Sequence, residues 1–508
     1  MFDALRSVPT PYLLAALVAL YVAYKVSRKV ATDARIAKLG ARAPIRHTYA
    51  PLGLDLLYEI LTYFLADMVY EFWLKQFSDW SYGRHTLEQG GIRRVILTAE
   101  PENIKAILAT QFPDYGKGEQ FHKEWHPFLG SGVFTTDGAL WHDSRQIIRP
   151  QFIKERVSDL MIFEENVQIL IRKISETPEV NMLDQLLRYT FDVATHFLLG
   201  KSAGSMEQPQ VALAAAFSTA QRTMGLVVRT GPLNWLVPRK RMGFYRAMDV
   251  INNFISGYID EALALSPEEL EKKTSHDSGY TFLHAVASYT RDRKMLRDQI
   301  ISVMLAGRDT TACTLNWAIY ELSLQPHITA KLRREIFDHL GRDRAPTYDD
   351  LKTMKYLQHI LNETLRLYPS VPYNVRIALR DTTLPTGGGP DGTQPIGILA
   401  GTSVAYSTLV MQRRADLYPS PESGFPPVDK FVPERWDHWT PKAWTYIPFN
   451  GGPRICIGQQ FALTEIAYTL VRLLQRFEGV ENRMGGVEAG LHNDIVLQPA
   501  KEVRVAFK

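Results

Sequence analysis

The chain has 508 residues, 45% hydrophobic and 22% charged, which supplies a sizeable core and excludes wholesale disorder or a low-complexity chain. A net charge of +4 gives no case for a nucleic-acid partner. Two cysteines exclude a disulfide framework and any four-cysteine zinc or iron–sulfur site, and they suit a reducing compartment.

In chain order, the first feature is an uncharged, mostly apolar run from Val8 to Tyr24 that contains Leu13, Leu14, Leu17, Val18, Leu20 and Val22. It has the length of a short membrane span. Lys25, Arg28, Lys29, Arg35, Lys38, Arg42 and Arg46 follow, against Asp33 alone. A signal peptide carries its positive charge before the apolar run, so this order predicts an uncleaved anchor over residues 1–30 and a basic linker over 31–53. The positive-inside rule then places everything downstream in the cytoplasm. A buried core helix is the competing reading. Residues 54–80 read as an amphipathic helical segment. Asp55, Glu59, Asp67 and Glu71 share one half of a helix, and Leu56, Leu57, Ile60, Leu61, Phe64 and Leu65 fill most of the rest. Such a face suits a membrane surface or the body of the protein.

A strand is expected over Ile92–Thr98 after the Gly90-Gly91 turn, and Pro101 opens a helix where its missing N–H costs nothing. Helical periodicity then dominates to about residue 368. Thr347 and Asp350 form a capping box, and Pro369 stops the helix that contains Leu357–Tyr368. Short β-rich runs lie near 371–410 and 495–507, with loops over Pro385–Pro395 and Tyr418–Pro427. The triple glycine Gly387-Gly388-Gly389 lacks the Gly-Lys-Ser/Thr ending of a phosphate loop. The expected fold is mainly α with a minor β part, one large domain over 81–508.

One segment concentrates chemistry: Pro448-Phe449-Asn450-Gly451-Gly452-Pro453-Arg454-Ile455-Cys456-Ile457-Gly458, followed by an amphipathic helix. Backbone N–H groups near a helix start stabilise a thiolate. Gly451, Gly452 and Gly458 let backbone approach a flat cofactor, and Arg454 offers charge to an acidic group on it. Local physics leaves a second reading equally open, a small buried thiol at a helix start.

The spacing Phe449-x-x-Gly452-x-Arg454-x-Cys456-x-Gly458 resembles the haem-binding signature of the cytochrome P450 family. The resemblance covers about Thr86 to the C-terminus. It implies the cytochrome P450 fold, with haem b as cofactor and the Cys456 thiolate as axial ligand of its iron. Ala306-Gly307-Arg308-Asp309-Thr310-Thr311 looks like the family's oxygen-binding helix segment, which makes Asp309 and Thr310 the groups for proton delivery. Ile300, Ile301, Met304, Leu315 and Trp317 around it predict a helix buried nearly all round. Glu363 and Arg366 of Glu-x-x-Arg, with Arg435, resemble the structural triad that holds the cysteine loop. Trp141, Arg145, Arg376 and Arg454 look like contacts to the haem propionates. Val303, Ala306, Val371 and Tyr373 are expected to line the substrate space.

The resemblance implies a monooxygenase on the endoplasmic reticulum membrane, with a single-pass anchor and a cytoplasmic haem domain. Anchor and haem domain fill the chain, so electrons are expected from an NADPH-dependent P450 reductase. The segments Leu367–Arg376 and Thr383–Gly392 and the cysteine loop are similar to the fungal alkane and fatty-acid hydroxylase group. That implies a long apolar substrate oxidised at or near its terminal carbon. The group commonly has histidine where this chain has Tyr373. The alternative substrate is a lipid-like or polyketide intermediate of fungal secondary metabolism. A haem-binding sensor without turnover is the alternative of another class. The segments Phe121–Phe134 and Gln221–Tyr245 are expected to line or gate substrate access. His122 and His126 lack the spacing of a zinc site, and Cys313 reads as a packed thiol.

Overall fold

The computed structural model describes residues 10–50, 53–81, 84–90, 94–153, 160–208, 212–275 and 281–508. The apolar run and much of the basic segment form one continuous helix, Thr10–Leu39, exposed along most of its length. Among the described residues no helix is long and apolar enough to cross a membrane. The end of this helix is fastened to the body. Ile36 is buried, Arg35 pairs with Asp381 at 2.7 Å, and the N–H of Ala41 donates to the carbonyl of Pro395 at 2.8 Å.

The expected amphipathic segment is two helices, Leu54–Leu65 and Val69–Ser81, not one. The break is at Asp67, whose φ of 59° no helix accommodates. Two of the four acids face the protein, Glu59 paired with Arg46 and Lys75 and Asp67 with His492, while Glu71 is exposed. Leu54, Tyr58, Leu61 and Leu65, at helical spacing, stay 52%, 74%, 38% and 81% exposed.

A six-stranded sheet follows the order Ile45–Arg46, Thr86–Gln89, Val95–Thr98, Ser403–Ser407, Tyr373–Ala378, Tyr115–Gly116. Strand Val95–Thr98 begins later than expected, and residues 91–93 lie outside the described set. Tyr373 pairs with Ser407 and Arg376 with Val404 in antiparallel register. The segment Pro385–Pro395, expected as a loop, belongs largely to a β-hairpin of Thr382–Gly388 and Gln394–Ile398. Its glycines serve packing: a Cβ at Gly388 would sit 2.9 Å from the carbonyl oxygen of Gln394. The capping box at Thr347 and Asp350 forms as expected, and the helix before Pro369 is Lys355–Leu367.

The fold is mainly helical, and its longest helix, Arg293–Leu324, organises the core. Its N-terminal half (Leu296, Ile300, Ile301, Met304, Leu305) packs with helices Gly118–Leu129, Ala212–Thr230 and Phe244–Ala264. Its C-terminal half (Ala312, Leu315, Trp317, Ala318, Ile319, Leu322) packs with helices Met161–Ser175, Lys355–Leu367 and Gln459–Arg476. Each large apolar side chain buried here contributes about 1.5–3 kcal/mol. Residues 306–310 fall between the two clusters.

Candidate functional site

Helix Arg293–Leu324 is capped at its start by Asp292, whose carboxylate accepts from the N–H of Lys294 at 2.9 Å. Between Asp298 and Ser323 every residue is buried except Val303, Ala306, Gly307 and Thr310. Spacings of three and four put these on one face, so the helix has a single open stripe at the junction of the two clusters. Val371 and Ile455 keep accessible surface as well, although they lie among core elements. So does Cys456.

Thr310 is on the open stripe. Its Oγ1 donates to the carbonyl of Ala306 at 2.6 Å, so the hydrogen points along the helix and the lone pairs point out. Gly307 leaves no break: the helix is continuous through it. Asp309 is on the flank. Its carboxylate accepts from the Gln221 side-chain amide of helix Ala212–Thr230 and from Arg308 at 3.1 Å. Arg308 also donates to Gln221 Oε1 at 2.9 Å and to Ser218 at 3.1 Å. Burial raises the Asp309 pKa against the opposing pull of Arg308 and Gln221. The sequence pattern singled out Asp309, and it gave no signal for Gln221 as a partner 88 positions away.

The cysteine loop is shaped by its backbone. Cys456 N–H donates to the Phe449 carbonyl at 3.0 Å, and Asn450 and Gly452 take φ of 65° and 64°. A Cβ on Gly452 would fall 1.8 Å from the carbonyl oxygen of Leu108, in the π-helical turn Ala106–Thr110. Although Cys456 keeps accessible surface, the chain packed around it desolvates the thiol and pushes its pKa up, and the Gly458 N–H and Arg145 oppose this. Helix Gly138–Ile148 brings Trp141 and Arg145 to this loop. Arg454 lies 4.5 Å from the Trp141 ring and donates to Thr136 O at 2.9 Å and to Asp137 at 2.6 Å. Its Nε is buried without a partner, and desolvation with nearby Arg376 presses its pKa down to about 10. Arg376 is buried and donates to Asn374 Oδ1 and Val375 O at 2.8 and 2.9 Å. Asp137, which fastens Arg454, was not evident in the sequence; Asp before a helix beginning with Gly138 carried only a capping signal.

The triad is closed. Glu363, Arg366 and Arg435 are fully buried. Glu363 accepts from Arg366 at 2.8 and 2.9 Å, Arg435 at 2.8 Å, Trp436 Nε1 at 3.0 Å and Val432 N–H at 2.9 Å. The remaining guanidinium donors reach the carbonyls of Val428, Pro427 and Lys430.

Tyr373 stacks on Trp73 at 5.2 Å, and its buried hydroxyl has no partner among the described residues. Cys313 is a buried thiol on the long helix. His122 contacts Thr135 O, and no metal-binding cluster occurs among the described residues. Of the access segments, Trp235, Leu236 and Tyr245 are exposed.

An accessible thiol among core elements, a glycine loop that meets backbone with backbone, and buried guanidinium groups of which Asp137 pairs with Arg454 alone fit a flat cofactor with a thiolate-bound centre and an anionic edge. Comparison with known proteins agrees. The sequence profile described as Cytochrome P450 matches residues 63–507. Cytochrome P450 monooxygenase pvhE of Talaromyces variabilis is 48% identical over 97% of this chain and 94% of its own length. Cytochrome P450 52A13 of Debaryomyces hansenii is 37% identical over the same shares. Cytochrome P450 52A6 of Candida tropicalis is 39% identical over 90% of each chain.

Proposed function

The chain belongs to the cytochrome P450 family, a monooxygenase whose cofactor is haem on a cysteine thiolate, and from that premise we propose that it hydroxylates a long-chain fatty acid or alkane at or near the terminal carbon. The observation that supports the substrate reading is an accessible stripe of small and apolar residues, Val303, Ala306 and Gly307 on one helix face beside Thr310, with Val371 also accessible. An unbranched chain end fits such a wall, and the wall excludes water from the reacting carbon.

When bound, haem supplies the oxidising chemistry that puts one atom of O2 into the substrate while the other leaves as water. Cys456 Sγ would hold the haem iron as a thiolate, its deprotonation helped by the Gly458 N–H and Arg145. Trp141, Arg145, Arg376 and Arg454 would hold the propionate edge, and Phe449 and Gly458 would shape the loop around it. Thr310 Oγ1 offers lone pairs toward the open stripe while its hydrogen is engaged by Ala306 O. Asp309, with its pKa raised, holds a proton more readily than a surface carboxylate does.

Electrons come from an NADPH-dependent P450 reductase that docks on the basic cysteine side. The protein sits at the endoplasmic reticulum membrane, with residues 1–30 as a single-pass anchor and the haem domain cytoplasmic. The exposed stripe of Leu54, Tyr58, Leu61 and Leu65, with Trp235 and Leu236, supports a second contact with the lipid surface.

A second reading, oxidation of a lipid-like or polyketide intermediate, draws on Tyr373. Its buried, unpartnered hydroxyl suits a substrate that carries oxygen. Microsomes holding the protein and a reductase, incubated with fatty acids and alkanes of graded length, decide between them. Hydroxylated product near the chain end is expected; no product at any length favours the second reading.

A further inference from the structure

Trp444 has a backbone conformation that bulky residues rarely adopt. Its φ is 71°, one of three positive values outside glycine among the described residues. It is the third residue of the turn 442–445, in which the N–H and Oγ1 of Thr445 donate to the carbonyl of Lys442 at 3.1 and 2.8 Å. With positive φ, that slot of a turn suits glycine or asparagine. What the turn achieves with tryptophan is the placement of the indole. A Cβ on Gly451 would lie 2.6 Å from Cζ3 and 2.8 Å from Cη2 of Trp444, so the ring rests directly on that residue. Gly451 is buried, and its own φ of −156° is extended backbone open to any residue. The missing side chain at 451 therefore answers to the ring and not to a turn of its own. Trp444 is half-buried and packs on the cluster that contains Tyr406, Val410 and Ile447.

Three successive residues of the cysteine loop lean on three separate elements. Tyr406 of strand Ser403–Ser407 donates its hydroxyl to Asn450 Oδ1 at 3.0 Å, Trp444 covers Gly451, and Gly452 sits against the Leu108 carbonyl. The neck of the loop is the bond from Cys456 N–H to Phe449 O at 3.0 Å. Phe449 precedes Asn450 directly, so a shift at 450–451 reaches Cys456 through that bond. We infer that Trp444 is a positioning residue for the Cys456 thiolate: its ring, pressed on Gly451, fixes the loop that carries the sulfur. A left-handed tryptophan persists only where its surroundings over-determine it, and the contact with Gly451 does so here. The inference rests on the haem-thiolate reading.

The test follows the red-shifted ferrous–carbon monoxide band of the purified holoprotein over time, at a temperature below unfolding. Trp444→Gly keeps the turn, because glycine takes positive φ freely, and removes the ring. Its band converts to the unshifted form about tenfold faster than the native band, within the worth of one aromatic contact. Trp444→Phe, which keeps a ring, stays within about threefold of native. Gly451→Ala puts a methyl against the indole and speeds the conversion too, whereas in the Trp444→Gly background the same methyl adds nothing. Equal band lifetimes in the native chain and Trp444→Gly overturn the inference. A Gly451→Ala effect of the same size with and without the ring also overturns it, because the two residues are then uncoupled. So does a lower unfolding midpoint of Trp444→Gly with an unchanged band lifetime, since the ring then serves bulk packing alone. If Gly451→Ala accumulates no holoprotein, the double variant is read instead: recovery of the band supports the contact, and no recovery counts against it. Absence of the red-shifted band in the native chain sinks the haem-thiolate reading itself, separately from Trp444.

Discussion

Glu363 and Asp137 each bind buried arginine, Glu363 two and Asp137 one, yet one cluster is finished and the other is not. Glu363 has two guanidinium partners, an indole and a backbone N–H, and both arginines spend their other donors on carbonyls. Asp137 satisfies Arg454 and two backbone groups, but Arg376 makes do with amide oxygens and Arg454 Nε has no acceptor. A closed ion network in a dry interior is scaffold. An incomplete one marks where a charged group of another molecule belongs.

The largest expected break is on the open side. Cys456→Ser abolishes turnover and the red-shifted ferrous–carbon monoxide band; an unchanged band contradicts the ligand assignment. On the closed side, Glu363→Ala strands two guanidinium groups and costs about 3–5 kcal/mol, read as a lower denaturant midpoint or failure to accumulate holoprotein. If Glu363→Ala were as stable as native, the triad would not be scaffold. Thr310→Ala leaves the carbon monoxide spectrum intact and lowers product formed per NADPH by about a hundredfold, the lower end of the usual worth of a positioned proton-transfer group. Full coupling in that variant removes Thr310 from proton delivery.

A smaller effect sharpens the contrast with ordinary surface charges. Arg344 and the Thr347 cap hold the Asp350 carboxyl well below its usual range. A depressed carboxylate adds stability above the unfolded-state value, about pH 4, and that contribution is lost as pH falls through the folded value. Asp350→Asn therefore costs about 1 kcal/mol at neutral pH and flattens that part of the acid limb in urea titrations. Least of all, Asp381→Asn at the exposed Arg35 pair shifts unfolding by about 0–1 kcal/mol.

The local parts of this arrangement were legible in the sequence. The capping box at Thr347, the Glu363–Arg366 spacing, the long buried helix and the cysteine loop each depend on residues a few positions apart. The break at Asp67 escaped because the apolar period runs straight through it, and the cause is one backbone angle together with a contact to His492. The hairpin in the glycine-rich stretch escaped because its glycines answer to neighbours such as Thr86 and Ala41, far away in the chain. The resemblance paired Asp309 with Thr310 for proton delivery. A helix turns about 100° per residue, and that separates the open stripe from the flank that meets Gln221.

Gly452 has a consequence for anyone who would transplant the cysteine loop into another scaffold. A methyl at that position collides with the peptide of Leu108, and peptide does not step aside as a flexible side chain does. The loop and the π-helical turn Ala106–Thr110 therefore travel as one cassette, although more than three hundred residues of chain separate them. A chimera that exchanges residues 448–458 between relatives needs its matching 106–110 turn from the same donor.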